Sequence, residues 1–215
     1  MKIDKLNLPN YFKEHYNKFP NLTPIQEKAV DAGLLDKKSL LICAPTASGK
    51  TLVATMSIVN TLGKGKAIYL VPLKALANEK YKEYLSLLGE TEFNAVMSTG
   101  DMDSESAYLA KYDLLILTTE KLDSLLRHRV SWLSEVKSVI VDEIHLLNDS
   151  SRGPTLEIIL TLLKTLIKPQ IVGLSATIGN PQELAAWLGA DLVQDDWRPV
   201  ELKQGIYSED KLEFF

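Results

Sequence analysis

Residues 40–51 read LLICAPTASGKT and join an uninterrupted apolar run to a loop of small residues that ends in Gly-Lys-Thr. A short apolar run without alternation is typical of a strand that helices cover on both faces. The loop matches the phosphate-binding pattern, except that Ala44 stands at its first glycine. A helical pattern follows over residues 50–62, so the backbone N–H groups of residues 47–51 can converge on a phosphate at a helix N-terminus.

This loop predicts a site for ATP and magnesium. Lys50 is expected to reach the β- and γ-phosphates, and the Thr51 hydroxyl is expected to take a position around the metal ion. A surface turn with a solvated lysine is the alternative interpretation, and the strand–loop–helix setting disfavours it. The predicted nucleotide-contacting residues of the loop are Ala44, Pro45, Thr46, Ala47, Ser48, Gly49, Lys50 and Thr51.

Two acidic residues follow another apolar run, SVIV at residues 138–141, and begin the sequence DEIH at 142–145. Asp142 is expected to hold magnesium through water, and Glu143 to orient and deprotonate the attacking water. With Lys50 they form the predicted catalytic set. Alone, the pair could be exposed caps before Leu146, but its combination with the phosphate-binding loop argues against that reading.

Strand and helix patterns alternate along the chain, which predicts an α/β fold with a doubly wound, mostly parallel sheet. Ligands of such folds bind at the carboxyl ends of the strands. The predicted strands cover residues 39–44, 67–72, 93–98, 113–118, 138–142 and 170–175. The predicted helices cover residues 23–36, 50–62, 73–88, 120–129, 155–167 and 181–188, the first of them capped by Thr23 with Pro24 at its first position.

The composition excludes several classes of protein. With 215 residues, 46% of them hydrophobic, the chain can bury the core of one domain. A net charge of −4 argues against coating nucleic acid by bulk electrostatics, so any such contact has to be local. Cys43 is the single cysteine, which excludes an internal disulfide and a cysteine-based zinc site. The sequence has no signal peptide or membrane-spanning run, and we expect a soluble, cytoplasmic protein.

Taken in order, these motifs resemble those of superfamily 2 helicases, whose fifth-strand motif here reads DEIH. The resemblance implies a RecA-like fold of the phosphate-loop NTPase class. It implies that Gln26, within LTPIQ, reads the adenine edge as both donor and acceptor. It also implies that Ser175 and Thr177, in the motif SAT, couple the ATP state to domain movement, with His145 linking the two sites by a hydrogen bond. The two hydroxyls could instead cap a turn.

Three further stretches resemble motifs that contact nucleic acid: VPLKALAN at 71–78, STGD at 98–101 and TTEK at 118–121. N–H groups and hydroxyls at helix N-termini suit backbone phosphates and need no strongly basic surface. Ordinary helix caps are the alternative. The predicted nucleic-acid-contacting residues are Pro72, Lys74, Ala75, Asn78, Thr99, Gly100, Asp101, Thr118, Thr119, Glu120, Lys121 and Arg152. Of the four arginines, we place only Arg152 near the acid pair, facing nucleic acid.

The tracts RGPTLE at 152–157 and GLSATIGNPQELAAWLG at 173–189 resemble the Ski-like branch of the superfamily, and within it the archaeal Hjm-type DNA helicases. This resemblance implies an ATP-dependent 3′-to-5′ DNA helicase that works at forked or stalled replication structures, in replication-fork repair or recombination. Residues 1–200 would form the first motor domain, and residues 201–215 a strand and the start of a connection to a second RecA-like domain of the same parent chain. That second domain would supply arginine fingers.

Two other functions remain open at this point. An RNA helicase of the same branch would carry similar motifs. A phosphate-loop ATPase that does not act on nucleic acid would have no reason to carry the stretches at 72–78 and 118–121. A nucleotide-gated scaffold without catalysis is disfavoured by intact Lys50, Asp142 and Glu143.

Overall fold

The computed structural model describes residues 1–100, 103–201, 203, 205–208 and 211–214, and its main body is one sheet covered by helices on both faces. The strands are β1 (Leu40–Cys43), β2 (Lys66–Val71), β3 (Ala95–Ser98), β4 (Leu114–Thr118), β5 (Val136–Val141), β6 (Gln170–Ser175), β7 (Asp191–Gln194), β8 (Gly205–Ser208) and β9 (Lys211–Phe214). The helices are α1 (Asn10–His15), α2 (Pro24–Asp31), α3 (Lys50–Thr61), α4 (Lys74–Leu88), α5 (Thr119–Arg127), α6 (Gly153–Leu162) and α7 (Pro181–Leu188).

The first seven strands form one sheet in the order β3-β4-β2-β5-β6-β1-β7. Every pairing within it is parallel. The strand that precedes the phosphate-binding loop therefore lies between β6 and β7. All carboxyl ends point to one edge of the sheet, which brings the loop after β1, the acid pair after β5 and the SAT motif after β6 to the same edge.

The two faces of the sheet carry separate halves of the core. Ile42 of β1 points into a cluster with Phe12 of α1, Met56 of α3 and Tyr84 of α4. Its neighbour Leu41 points the other way, into a cluster built from α5, α6 and α7. Because successive side chains of a strand alternate between faces, a strand buried on both faces must be apolar throughout, as β1 is.

The predicted α/β architecture and all six predicted sheet strands are confirmed, with boundaries that differ by at most two residues and agree at both ends of β6. The helix predicted over 23–36 ends at Asp31, and Gly33 adopts a left-handed conformation with φ of 97° just beyond it. The helix predicted to end at residue 167 changes at Leu163–Ile167 into a π-helical turn. No helix in the described ranges is long and apolar enough to cross a membrane.

Strand β7 and helix α1 were not predicted from the sequence. β7 has only four residues with mixed burial, so its sequence lacks the apolar run that predicts a buried strand. It is a strand because it pairs with β1. The short helix α1 was also missed. In the stretch where a strand was predicted from residue 201 onward, the described residues form β8, which pairs antiparallel with β9.

Candidate nucleotide-binding site

The phosphate-binding loop occupies the six residues between the end of β1 and the start of α3. Ala47 and Gly49 adopt left-handed backbone conformations, with φ of 66° and 100°. At Gly49 a side chain is excluded for a second reason, since a Cβ there would lie 2.2 Å from Nε2 of Gln26. The glycine before the lysine is thus required both by the turn and by its close neighbour.

Lys50 points back over this loop. Its Nζ donates hydrogen bonds to the carbonyls of Ala44 at 2.6 Å and Pro45 at 2.8 Å. Burial lowers the pKa of Lys50, while the negative charges of Glu143 and Asp142 act in the opposite direction. The charges of the loop lysine and of both members of the acid pair therefore influence one another.

Asp142 is held by a hydrogen bond at each carboxylate oxygen. Oδ1 accepts from the backbone N–H of Glu143 at 3.0 Å, and Oδ2 accepts from the hydroxyl of Tyr69 at 3.0 Å. Burial is the main cause that raises the pKa of Tyr69 well above its usual value, so this hydroxyl stays protonated and remains the donor. Both bonds fix the orientation of the carboxylate.

The donors of Asp142 and Thr51 are of the kind that magnesium binds. Within the described part of the chain, no group of three or more His, Cys, Asp or Glu side chains could hold a metal. Magnesium characteristically binds one or two protein groups and takes its other ligands from phosphates and water. A carboxylate at Asp142 and a hydroxyl at Thr51 match that requirement.

Glu143 has an unusual backbone conformation for a non-glycine residue, with φ of 50°. Such strain occurs preferentially at functional sites, where the surrounding structure maintains it. Its side chain is 44% exposed, and Oε2 lies 3.3 Å from Nδ1 of His145. The glutamate is therefore open to an incoming water, and the contact of His145 is with the acid pair. The described contacts do not include a hydrogen bond from His145 to the SAT motif, so the predicted link stays a prediction.

Gln26 is buried against the loop, and both ends of its amide already have partners. Oε1 accepts from the backbone N–H of Thr23 at 2.9 Å, and Nε2 donates to the carbonyl of Gly49 at 3.0 Å. The Thr23 hydroxyl adds a bond to the carbonyl of Ser48 at 2.8 Å. The start of α2 is thereby tied to the phosphate-binding loop, and an adenine edge would have to replace or share the partners of Gln26.

The SAT motif ends β6 beside the loop strand. Ser175 is buried and pairs in register with Cys43 at the end of β1, whereas Thr177 is exposed beyond the strand. Cys43 is a buried core residue, and its burial raises the pKa of the thiol. The structure thus places Ser175 and Thr177 at the predicted edge of the sheet.

The residues predicted to contact nucleic acid differ in their exposure. Lys74, Ala75 and Asn78 are exposed on the first turns of α4, while Pro72 before them is half-buried. After β4, Glu120 is exposed and Thr119 half-buried, but Thr118 and Lys121 are buried. Side-chain contacts from Thr118 and Lys121 would therefore require a rearrangement. Thr99 and Gly100 are half-buried after β3, and Asp101 lies outside the described residues.

Arg152 connects this predicted surface with the acid pair. Its side chain is exposed, and it lines a small cavity together with Pro72, Thr119, Asp142 and Glu143. The structure therefore brings residues of two predicted nucleic-acid motifs next to the predicted catalytic carboxylates.

Sequence analysis missed two residues at this site. Tyr69 was assigned no role, because a tyrosine within an apolar strand looks like any other core residue. Arg198 lines a pocket of about 300 Å³ with Thr46 and Ala47 at the tip of the loop, and its charge contributes to lowering the pKa of Lys50. The sequence gives no motif at Arg198, since only the fold returns this segment to the loop.

A doubly wound parallel sheet with a phosphate-binding loop after β1 and a DEIH acid pair after β5 defines a RecA-like helicase domain. The model of the DEAD/DEAH box helicase family matches residues 23–184, and the chain belongs to this family.

Curated relatives are similar over most of this chain. The ATP-dependent DNA helicase Hel308 of Methanocaldococcus jannaschii is 55% identical over 201 residues, covering 90% of this chain and 17% of the relative. The protein of the same name from Pyrococcus horikoshii is 51% identical over 211 residues, covering 96% of this chain and 29% of the relative. The chain therefore spans less than a third of the length of these relatives.

Solved structures agree on the fold. The helicase MrfA, a DUF1998 helicase crystallised bound to DNA, superimposes with a TM-score of 0.71 at 25% identity, over 88% of this chain and 30% of that chain. Its complex with DNA and AMPPNP gives a TM-score of 0.77 at 24% identity, over 89% of this chain.

Proposed function

We propose that this chain is the ATP-binding first motor domain of an ATP-dependent DNA helicase, which hydrolyses ATP to move along one nucleic-acid strand. The observation that carries the proposal is the shared carboxyl edge of the parallel sheet, which brings the loop with Lys50 after β1 to the same side as Asp142 and Glu143 after β5. The similarity to the ATP-dependent DNA helicases named Hel308 supports ATP as the energy source and DNA as the substrate.

The residues at the loop have separate roles in binding and hydrolysing ATP. The N–H groups at the start of α3 cradle the phosphates, and Lys50 exchanges its carbonyl partners for phosphate oxygens. Magnesium, when bound at Thr51 and Asp142, neutralises phosphate charge. Glu143 takes the proton of the attacking water, and Gln26 contacts the adenine edge. The residues that couple the ATP state to domain movement are His145, Ser175 and Thr177.

Nucleic acid would lie across the neighbouring strand ends. The exposed first turns of α4 present Lys74, Ala75 and Asn78, and Arg152 adds a guanidinium between that surface and the acid pair. Contacts of this kind go to the sugar–phosphate backbone and do not read sequence. They suit a motor that must step over any sequence, and they need no overall positive charge in a chain of net charge −4.

The parent protein would supply what this domain lacks for a full cycle. A second RecA-like domain closes the ATP site and contributes arginine fingers, as the family resemblance implies. The same resemblance supports 3′-to-5′ movement and work in replication-fork repair or recombination. The single cysteine, Cys43, is compatible with the cytoplasmic location that we propose. The relatives, of which this chain covers 17% and 29%, leave ample length for further domains.

The decisive experiment compares ATP hydrolysis by the parent protein on single-stranded DNA, on RNA of the same sequence and without nucleic acid. We expect strong stimulation by DNA, and no stimulation in a Lys50→Ala variant. Equal stimulation by RNA would favour an RNA helicase of the same branch. A rate of ATP hydrolysis that neither DNA nor RNA changes would favour an ATPase with another substrate.

A further inference from the structure

Tyr69 is a buried tyrosine of β2 that reaches across to the neighbouring strand. It lies opposite Ile140 in the parallel pairing of β2 with β5, and its ring is completely buried. Its hydroxyl extends toward the carboxyl end of β5 and donates a 3.0 Å hydrogen bond to Oδ2 of Asp142. The side chain that contacts the predicted metal-binding carboxylate thus comes from a different strand.

The backbone of Asp142 is held by the same strand. Its N–H donates to the carbonyl of Leu70 at 2.9 Å, so β2 contacts Asp142 through both backbone and side chain. The second carboxylate oxygen accepts from the N–H of Glu143. An ionised carboxylate has about four acceptor positions. One donor on each oxygen fixes its plane and leaves lone pairs for water molecules around a metal ion.

The Tyr69 ring is itself tightly positioned. The ring of Tyr84 packs 5.8 Å from it, centroid to centroid, and Nζ of Lys80 lies 6.0 Å from its centre. The Tyr84 hydroxyl bonds to Thr55 at 3.2 Å and not to the acid pair. The structure therefore contains two buried tyrosines in contact. The Tyr69 hydroxyl bonds to Asp142, and the Tyr84 hydroxyl bonds to a residue of α3.

We propose that Tyr69 is a positioning residue for magnesium, because its hydroxyl holds the Asp142 carboxylate in the orientation that accepts hydrogen bonds from metal-bound water. The inference rests on the proposed function, since it assigns a role within the same ATP site. A phenylalanine would fill the same core volume, so packing does not account for the hydroxyl. Partners that orient a metal ligand characteristically contribute about 10- to 100-fold to metal affinity.

The test measures the affinity of the 215-residue chain for a fluorescent ATP analogue, once with Mg²⁺ and once with EDTA. For Tyr69→Phe we expect about tenfold weaker binding in Mg²⁺, the lower end of the range for such partners, and unchanged binding in EDTA. Tyr84→Phe is the matched control, because it removes a hydroxyl from the adjacent ring without touching Asp142. For Tyr84→Phe, the gain in affinity for the analogue from EDTA to Mg²⁺ should equal that of the wild-type chain.

A double-substitution cycle shows whether the effect passes through the carboxylate. In an Asp142→Asn background, Tyr69→Phe should cause no further loss in Mg²⁺. A second measurement needs no substitution at position 69. The chain is labelled with ring-ζ ¹³C-tyrosine, and the signal that shifts in Asp142→Asn is assigned to Tyr69. In the wild-type chain with bound nucleotide, this signal should also shift when Mg²⁺ is added. Absence of that shift would contradict the proposal even if Tyr69→Phe did not fold.

The outcomes separate this inference from the proposed function. Equal losses in Mg²⁺ and EDTA, no loss in either, or a magnesium-specific loss in Tyr84→Phe would overturn the role of Tyr69 alone. A wild-type chain that binds no nucleotide under either condition would overturn the proposed function and this inference together.

Discussion

The amine of Lys50 donates a 2.6 Å hydrogen bond to the carbonyl of Ala44, the residue that stands where the phosphate-binding pattern has its first glycine. Together with the carbonyl of Pro45, it holds the charge of Lys50 over the loop. We predict that Lys50→Ala removes most nucleotide affinity, because the remaining loop binds phosphate with backbone dipoles alone. Titration with a fluorescent ATP analogue measures the loss.

Lys64→Ala is the control for that experiment. Lys64 is an exposed lysine just beyond the far end of α3 and should leave affinity unchanged. If Lys50→Ala bound ATP as tightly as the wild-type chain, the assignment of the loop would be wrong.

Glu143 combines a left-handed backbone with a half-exposed side chain, which suits a general base open to water. We predict that Glu143→Gln leaves binding of ATP and magnesium nearly intact and lowers turnover of the parent protein by about 10²-fold or more. Steady-state hydrolysis and nucleotide affinity are measured on the same samples. Glu157→Gln, an exposed acid on α6, should change neither. A fall in affinity as large as the fall in rate would contradict the assigned role.

Gly153 begins α6 directly beneath the backbone that follows the acid pair. A Cβ at this position would lie 2.2 Å from the carbonyl oxygen of Leu147, and backbone cannot move aside as a flexible side chain does. We predict that Gly153→Ala lowers the free energy of unfolding by about 1–3 kcal/mol, the usual range for overpacking. Urea unfolding of the 215-residue chain measures the change.

The comparison for this prediction is Gly179→Ala, where a new Cβ would meet no atom within 4 Å. Its stability should stay within about 0.5 kcal/mol of the wild-type chain, as is usual for a substitution that removes no contact. Equal losses at both positions would show that the close approach to Leu147 is not the cause.

The isolated chain should bind ATP weakly, hydrolyse it hardly at all and unwind nothing. Arginine fingers contribute about 10³- to 10⁵-fold to rate in related phosphate-loop enzymes, and we assign them to a second motor domain. Hydrolysis should stay near background at saturating DNA, measured by phosphate release. Because Arg198 lies beside the loop tip and Arg152 beside the acid pair, the alanine variants of both arginines are measured. DNA-stimulated turnover that Arg152→Ala or Arg198→Ala abolished would contradict the assignment.

Local sequence was sufficient for the strand–loop–helix unit and its chemistry. β1 is apolar at every position because it is covered on both faces, and the loop after it needs Gly49 for its left-handed turn. Both features depend on residues adjacent in the chain, so they are visible as patterns. The order of the motifs then indicated which strand ends would share an edge, and the sheet order agrees.

Only the tertiary structure decided what lies next to these motifs. Tyr69 contacts Asp142 across 73 positions of sequence, and Arg198 returns to the loop from beyond the last strand of the sheet. The burial of Lys121 likewise depends on how α5 packs, and nothing in TTEK indicates it. Propensity and periodicity report on neighbours along the chain. Contacts between strand ends depend on strand order and register, which is why the partners of Asp142 became evident only in the folded sheet.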